Sequence, residues 1–209
     1  MNSQYDLINI DQWDRADAFR FFRGFDEPFF NICTQVDISG LLQEARRHDH
    51  PPSLLLLWHA IRAANEIEAF RLRLHGEELR RYHRIKPACT MRRGESGYFF
   101  CYFDYEHGMS AEDFVDQGRA AIESQQHRPG LGARPDAEDV VHCSMLPWVS
   151  FTGLRHARHS GYPDSIPKLV FGKFTEVQSK WMLPVAVDLH HALADGWHAA
   201  QWIERMEWK

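Results

Sequence analysis

The densest group of chemically capable side chains lies near the end of the sequence, in Val185-Ala186-Val187-Asp188-Leu189-His190-His191-Ala192-Leu193-Ala194-Asp195-Gly196-Trp197-His198. A strand has a side-chain period of two, which sets Val185, Val187, Leu189 and His191 on one face and Ala186, Asp188 and His190 on the other. The paired histidines therefore point opposite ways, and at most one of them easily serves a given site. A neutral imidazole at a strand end is suited to taking a proton from a hydroxyl near neutral pH, which makes His191 a candidate general base. Gly196 permits a tight turn before a closing helix, and Asp195 is near enough to organise the loop that carries His191.

Other chemistries compete for the same residues. His191, Asp195 and His198 are metal-ligand types close together, but no second half of such a site and no H-E-x-x-H arrangement occurs, so no metal is expected. A serine hydrolase would need a G-x-S-x-G elbow, which is absent. Any one of the thirteen histidines taken alone reads as a solvated or core residue. The H-H-x-x-x-D-G cluster speaks against that reading for His191.

The elements around the cluster follow from periodicity. Asp11 can cap a helix through about Phe22, and residues 30–38 alternate as a strand, Phe30, Ile32, Thr34, Val36 and Ile38 against polar neighbours. Ser39 offers a cap for a short helix to about His48, and Pro51-Pro52-Ser53 opens a longer, largely buried one to about Ile67. Residues 70–74 and 79 onward read as strand, turn, strand, as do 85–91 and 98–105 around Arg92-Arg93-Gly94-Glu95. Ser110-Ala111-Glu112-Asp113 matches a capping box for a helix with Phe114, Gly118, Ala121 and Ile122 on one face. After a loop over 127–139, strands are expected at 140–151, 169–177 and 182–191, and a helix closes the chain. The interleaving predicts one domain over 1–209 with an α+β fold, a two-layer sandwich of a mixed β-sheet packed against helices.

Composition narrows the function classes. At 44% apolar and 25% charged the sequence is that of a globular protein. A net charge of -5 without a basic block argues against a nucleic acid partner. The start lacks the basic and apolar stretches of a signal peptide, and the longest apolar run, residues 54–58, is too short for a bilayer. Four cysteines without a C-x-x-C pair fit free thiols in a reducing cytoplasm, the expected location, with no membrane partner.

His190-His191-Ala192-Leu193-Ala194-Asp195-Gly196-Trp197-His198 closely resembles the H-H-A-x-x-D-G-[FW]-H signature of the chloramphenicol acetyltransferase family. Ser144 and Met145-Leu146-Pro147-Trp148-Val149-Ser150-Phe151-Thr152 resemble its S-A-x-P-W-V-S-F-T segment, and Gln12-Trp13-Asp14-Arg15 its Q-W-x-R. Phe70-Arg71, Gly76-Glu77 and Gly172-Lys173-Phe174 fall where that family has F-R, G-E and G-K-Y, so the likeness runs along nearly the whole chain. The resemblance implies an acetyl-CoA-dependent O-acetyltransferase acting on a small-molecule hydroxyl acceptor, foremost chloramphenicol, without an acyl-enzyme. It also implies a homotrimer with sites at subunit interfaces.

By the same resemblance His191 is the base, Ser144 donates to the tetrahedral oxyanion, and Asp195 pairs with Arg15 to hold the catalytic loop. Trp148, Lys173 and Phe174 fall in the CoA tunnel, with Phe174 lacking the usual tyrosine hydroxyl. Phe22, Thr90, Leu154, His156, Arg158, Lys168 and Val170 fall in the acceptor pocket. There the pattern departs: His156, Arg158 and Lys168 stand where apolar lining is usual, and Val170 where a threonine usually holds a water. Cations beside a neutral aromatic acceptor are costly unless paired, so a more polar or anionic acceptor is an alternative. A binding or structural trimer that has lost catalysis, with CoA or a metal as its ligand, is a third reading, opposed by the joint presence of His191, Asp195, Ser144 and Arg15.

Overall fold

The computed structural model describes residues 4–158 and 164–208. In chain order its elements are β1 (Tyr5–Leu7), α1 (Ala16–Phe22), β2 (Phe29–Asp37), α2 (Ser39–Arg47), α3 (Pro52–Asn65), β3 (Leu72–His75), β4 (Glu78–Tyr82), β5 (Lys86–Arg93), β6 (Gly97–Tyr102), α4 (Ala111–Gln126), β7 (Val140–Met145), β8 (Lys168–Phe171), β9 (Thr175–Val177), β10 (Lys180–His190) and α5 (Gly196–Met206). Short 3-10 turns lie at Ile10–Gln12 and Glu68–Arg71.

The main sheet has seven strands in the order β2-β10-β8-β7-β5-β6, with β9 added along β10. The β5/β7 and β7/β8 pairs are parallel and the others antiparallel, giving the mixed sheet expected of the sequence. A separate three-stranded sheet, β1-β4-β3, stands beside it. β10 is the longest strand and lies between β2 and β8, with Val185↔Thr34 on one side and Val185↔Phe171 on the other.

One face of the sheet carries Val185, Val187, Leu189, Leu169, Cys89 and Cys143 into the main apolar core with α3, α4 and α5. α3 is buried nearly all round, as the Leu54–Leu57 run predicts, and each such side chain contributes about 1.5–3 kcal/mol by leaving water. Trp202 of α5 donates its indole N–H to the Ala60 carbonyl at 3.1 Å, which fixes α5 against α3. Gly118 lets α4 approach, since a Cβ there would sit 3.1 Å from Leu54. The opposite face of the sheet is polar, and on it Lys168, Asp188 and His190 are nevertheless buried.

Several expected boundaries move. Asp11 does not cap a long helix: Asn9 accepts from the Asp11 amide at 3.1 Å and starts only a 3-10 turn, and α1 begins at Ala16. The strand expected over 140–151 ends at Met145, because a turn closes at Leu146 (Val149 N to Leu146 O, 3.2 Å) and Pro147 has no amide to give. The stretch 169–177 splits into β8 and β9 at Gly172, where a Cβ would lie 2.9 Å from the Phe151 ring. Phe70 sits in the 3-10 turn rather than in a strand, β10 stops at His190 rather than His191, and β1 was not expected at all. The Ser110 cap, the α2 and α3 limits and the hairpin of β5 and β6 follow the expectation closely.

Arg73 is fully buried and joins the smaller sheet to the segment entering β7. Its guanidinium donates to the carbonyls of Phe70, Leu72, Glu138 and Val140 at 2.8, 2.6, 2.8 and 2.6 Å. Burial pushes its pKa down only to about 10, so it stays charged at neutral pH. Replacing it strands buried carbonyls, and Arg73→Met is expected to lower the unfolding free energy by about 3 kcal/mol or more in denaturant titrations. A change below about 0.5 kcal/mol would show that these bonds are replaceable by water.

Candidate active site

The turn that leaves β10 is held by backbone and side-chain bonds together. The Leu193 and Ala194 amides donate to the His190 carbonyl at 2.9 and 3.0 Å, and the His191 amide donates to the Pro28 carbonyl at 2.7 Å. The Ala192 amide donates to His190 Nδ1 at 3.2 Å, which requires an unprotonated Nδ1. Burial pushes His190 down to about 4 against the opposing pull of Asp164, with the Arg158 and Lys168 charges acting in the same direction as burial, so the ring is neutral at pH 7.

Asp195 then starts α5. Its carboxylate accepts from the Trp197 amide at 3.0 Å as a helix cap, and its other oxygen takes Arg15 Nη1 at 2.6 Å. His198 Nδ1 lies 2.8 Å from the same carboxylate and 3.2 Å from the Asp195 amide. Asp195 is thus committed to Arg15, to the helix end and to His198. Among the described residues, no three His, Cys, Asp or Glu side chains converge as metal ligands.

His191 projects from this turn into an aromatic cradle. Its ring stacks on Phe22 at 4.0 Å and 11°, with Phe30 tilted against it at 4.9 Å. Nδ1 lies 3.1 Å from the Ala194 carbonyl, which can only accept, so Nδ1 carries a proton and in the neutral ring the lone pair is on Nε2.

Ser144 stands elsewhere. It lies on β7, in one cross-strand row with Thr90, Val170 and Ala186. His191 is five residues beyond Ala186 and two strands away from β7, so its Cα lies roughly 19 Å from that of Ser144. The chain therefore brings together His191, Phe22, Asp195 and Arg15 but leaves Ser144, Thr90 and Val170 as a separate group. Val170 is buried, while Thr90 and Ser144 are half-exposed. Trp148 is exposed, with the Arg92 guanidinium 5.7 Å from its ring, and Phe174 rests on Trp181 at 5.6 Å. The Lys173 amide donates to Val149 at 2.8 Å and its side chain is exposed, so Trp148, Lys173 and Phe174 form one surface.

The cations Arg158 and Lys168 are internally compensated. Arg158 Nη2 lies 2.5 Å from Asp188 and Nη1 3.8 Å from Asp164, and Lys168 pairs with Asp164. The free cations that would favour an anionic acceptor are therefore matched by two carboxylates. His156 is half-buried, its Nε2 has no hydrogen-bond partner among the described residues, burial lowers its pKa, and Leu154 nearby in the chain is also half-buried. Asp164 and Asp188 are the residues that sequence reasoning did not assign. The signal for Asp188 was a carboxylate inside an otherwise apolar strand, and for Asp164 there was none.

The sequence profile of the family described as Chloramphenicol acetyltransferase matches residues 1–207. The chain belongs to that family. Family relatives include a chloramphenicol acetyltransferase of Campylobacter coli, 26% identical over 206 residues and covering 98% of this chain and 97% of the relative. Another from Streptomyces acrimycini is 29% identical over 202 residues, covering 93% and 89%. A solved family structure, a chloramphenicol acetyltransferase 26% identical in sequence, superposes with a TM-score of 0.90 over 97% of this chain and 98% of its own. The fold is thus the family's, and the chain is an acyltransferase of this family. No helix among the described residues is long and apolar enough to cross a membrane.

Burial pulls the Asp195 carboxyl upward, but the Arg15 hydrogen bond and the charges of His198 and Arg15 outweigh it and hold it at about 2. An unfolded aspartate titrates near pH 4, so the pair's contribution is complete above about pH 4 and is lost as pH falls toward 2. Asp195→Asn is expected to be less stable at neutral pH and to show a flatter loss of stability through that acid window. Denaturant unfolding across a pH series measures this, and an unchanged acid slope would mean that the pair adds nothing.

Proposed function

We propose that the protein transfers an acetyl group from acetyl-CoA to a hydroxyl of a small molecule, with chloramphenicol as the leading acceptor because the relatives bear its name. The observation that carries this reading is the protonation of His191: Nδ1 is spent on the Ala194 carbonyl, and Nε2 is left as a base within an apolar cradle. His191 Nε2 removes the acceptor's hydroxyl proton as that oxygen attacks the thioester carbonyl. The tetrahedral oxyanion is met by the Ser144 hydroxyl, and collapse expels CoA thiolate, which takes the proton back from the imidazolium. No acyl-enzyme is formed. Asp195 and Arg15 fix the turn and do not move protons.

The roughly 19 Å between Ser144 and His191 in one chain favours a homotrimer in which His191 of one copy works with Ser144 of the next. Trp148, Lys173 and Phe174 then offer their shared surface to CoA, and Phe22, Thr90, Leu154, His156 and Val170 border the acceptor. An acceptor more polar than chloramphenicol is a second reading, favoured by His156 Nε2 in that border, which has no partner among the described residues. An anionic acceptor has less support, since Asp164 and Asp188 already neutralise Lys168 and Arg158.

CoA thiol release with acetyl-CoA and chloramphenicol is the test. His191→Ala is expected to abolish the chloramphenicol-dependent rate and Ser144→Ala to lower it about 100-fold or more. Release in the wild type that persists in His191→Ala would remove His191 as the base. Trimers assembled from an equal mixture of the two variants are expected to regain about a quarter of wild-type turnover, since one restored interface forms in every mixed trimer. No recovery on mixing would place both groups in one chain's site.

A further inference from the structure

We propose that Arg158 and Asp188 form a clamp on the far side of β10 that positions His191 through Phe29 and Pro28, and that Arg158 does not touch the acceptor. The inference rests on His191 being the base. Its starting point is the register of β2 on β10, which places Phe29 directly opposite His190. The Phe29 ring meets the His190 ring edge-on at 5.3 Å. The residue before it, Pro28, supplies the carbonyl that takes the His191 amide at 2.7 Å. Both fixings of the turn, the His190 ring under Ala192 and the Pro28 carbonyl under His191, therefore move if Phe29 moves.

Phe29 is held by charge. The Arg158 guanidinium carbon lies 3.6 Å from its ring centroid, and Lys168 Nζ lies 4.6 Å from the same centroid. Asp188 sits two residues before His190 on the same sheet face, and its carboxylate fixes the guanidinium at 2.5 Å. The Asp188 side chain is 6% exposed and that of Arg158 23%, so the pair is largely shielded from water, where a cation and an aromatic face attract most strongly. A planar guanidinium held by a carboxylate can stack in one orientation, which an ammonium cannot do. Its donors face Asp188 and Asp164, which leaves Arg158 directed into the protein rather than toward a bound acceptor.

The segment that carries Arg158 is held to the same strand. Within it, Arg155 pairs with Glu27, which lies just before β2. Arg158 closes this strap from inside. Removing it frees Phe29 and, through Pro28, the backbone of the base.

The test combines a spectroscopic and a kinetic reading. Histidine carbon-13 spectra are recorded for the wild type and for the double variant Arg158→Met with Asp188→Leu, which leaves no orphaned charge, with the His191 signal assigned from its loss in His191→Gln. The His190 and His191 signals are expected to shift or broaden while that of exposed His127 stays in place, and Arg158→Lys is expected to fall between. With acetyl-CoA and chloramphenicol, kcat of the double variant is expected to fall about 10- to 100-fold, the scale set by a misplaced catalytic group. Both KM values are expected to stay within about two-fold. An unmoved His191 signal overturns the clamp, and a raised chloramphenicol KM at constant kcat makes Arg158 an acceptor contact instead. If the wild type does not turn over chloramphenicol, the functional reading has failed at its acceptor, and the His191 signal alone decides the clamp.

Discussion

The hydrogen bond from the His191 amide to the Pro28 carbonyl ties the end of β10 to the start of β2, and the chemistry of the site is built outward from that bond. It is the last bond of the ladder, because Pro28 has no amide to return it, and β10 ends at His190, one residue earlier than alternation alone would end it. His191 is thereby released from the sheet's two faces and turned toward Phe22 and Phe30. The carbonyl of Ala194 then claims Nδ1, and the tautomer is settled by backbone geometry rather than by a carboxylate partner. Asp195 is left free to cap α5 and to hold Arg15.

The sheet that positions this turn has two different faces. Toward the helices it is apolar and closely packed, and α3 is buried almost entirely between strands and helices. On the other face Lys168, Asp188, His190, Arg158 and Asp164 sit close together, with cations and carboxylates paired. Burying such groups is tolerable only because each finds a partner. The cost is met beside the residues that fix the turn, which is where rigidity of the backbone matters most.

Much of the architecture was legible because period and punctuation are strong there. The buried run after Pro51, the Ser110 cap and the Arg92-Arg93-Gly94-Glu95 turn all became elements close to where they were expected. Losses came where long-range contacts overrule local pattern. Residues 169–177 are broken at Gly172 by the Phe151 ring, which arrives from a distant segment. β1 exists only because Tyr5, Asp6 and Leu7 find β4 to pair with. Arg73, within the stretch 70–74 read as a strand, is a fully buried tie to four carbonyls that no local pattern marks.

The sequence by itself determined the family and the fold class, because those rest on motifs of fixed short spacing spread over the whole chain; the pairing of Asp195 with Arg15, 180 residues apart, was implied only by the family resemblance and is present in the structure. The sequence could not determine which charges meet. Arg158 meets Asp188 only where the fold lays its segment against β10, and Lys168 meets Asp164 because the chain four residues before it bends back onto it. Nor could it say that Ser144 and His191 stand two strands and five residues apart, since that separation is a property of strand order and register. Partners distant in sequence are chosen by the tertiary fold, because a strand fixes which face a side chain takes but not what its neighbour strand will set against it.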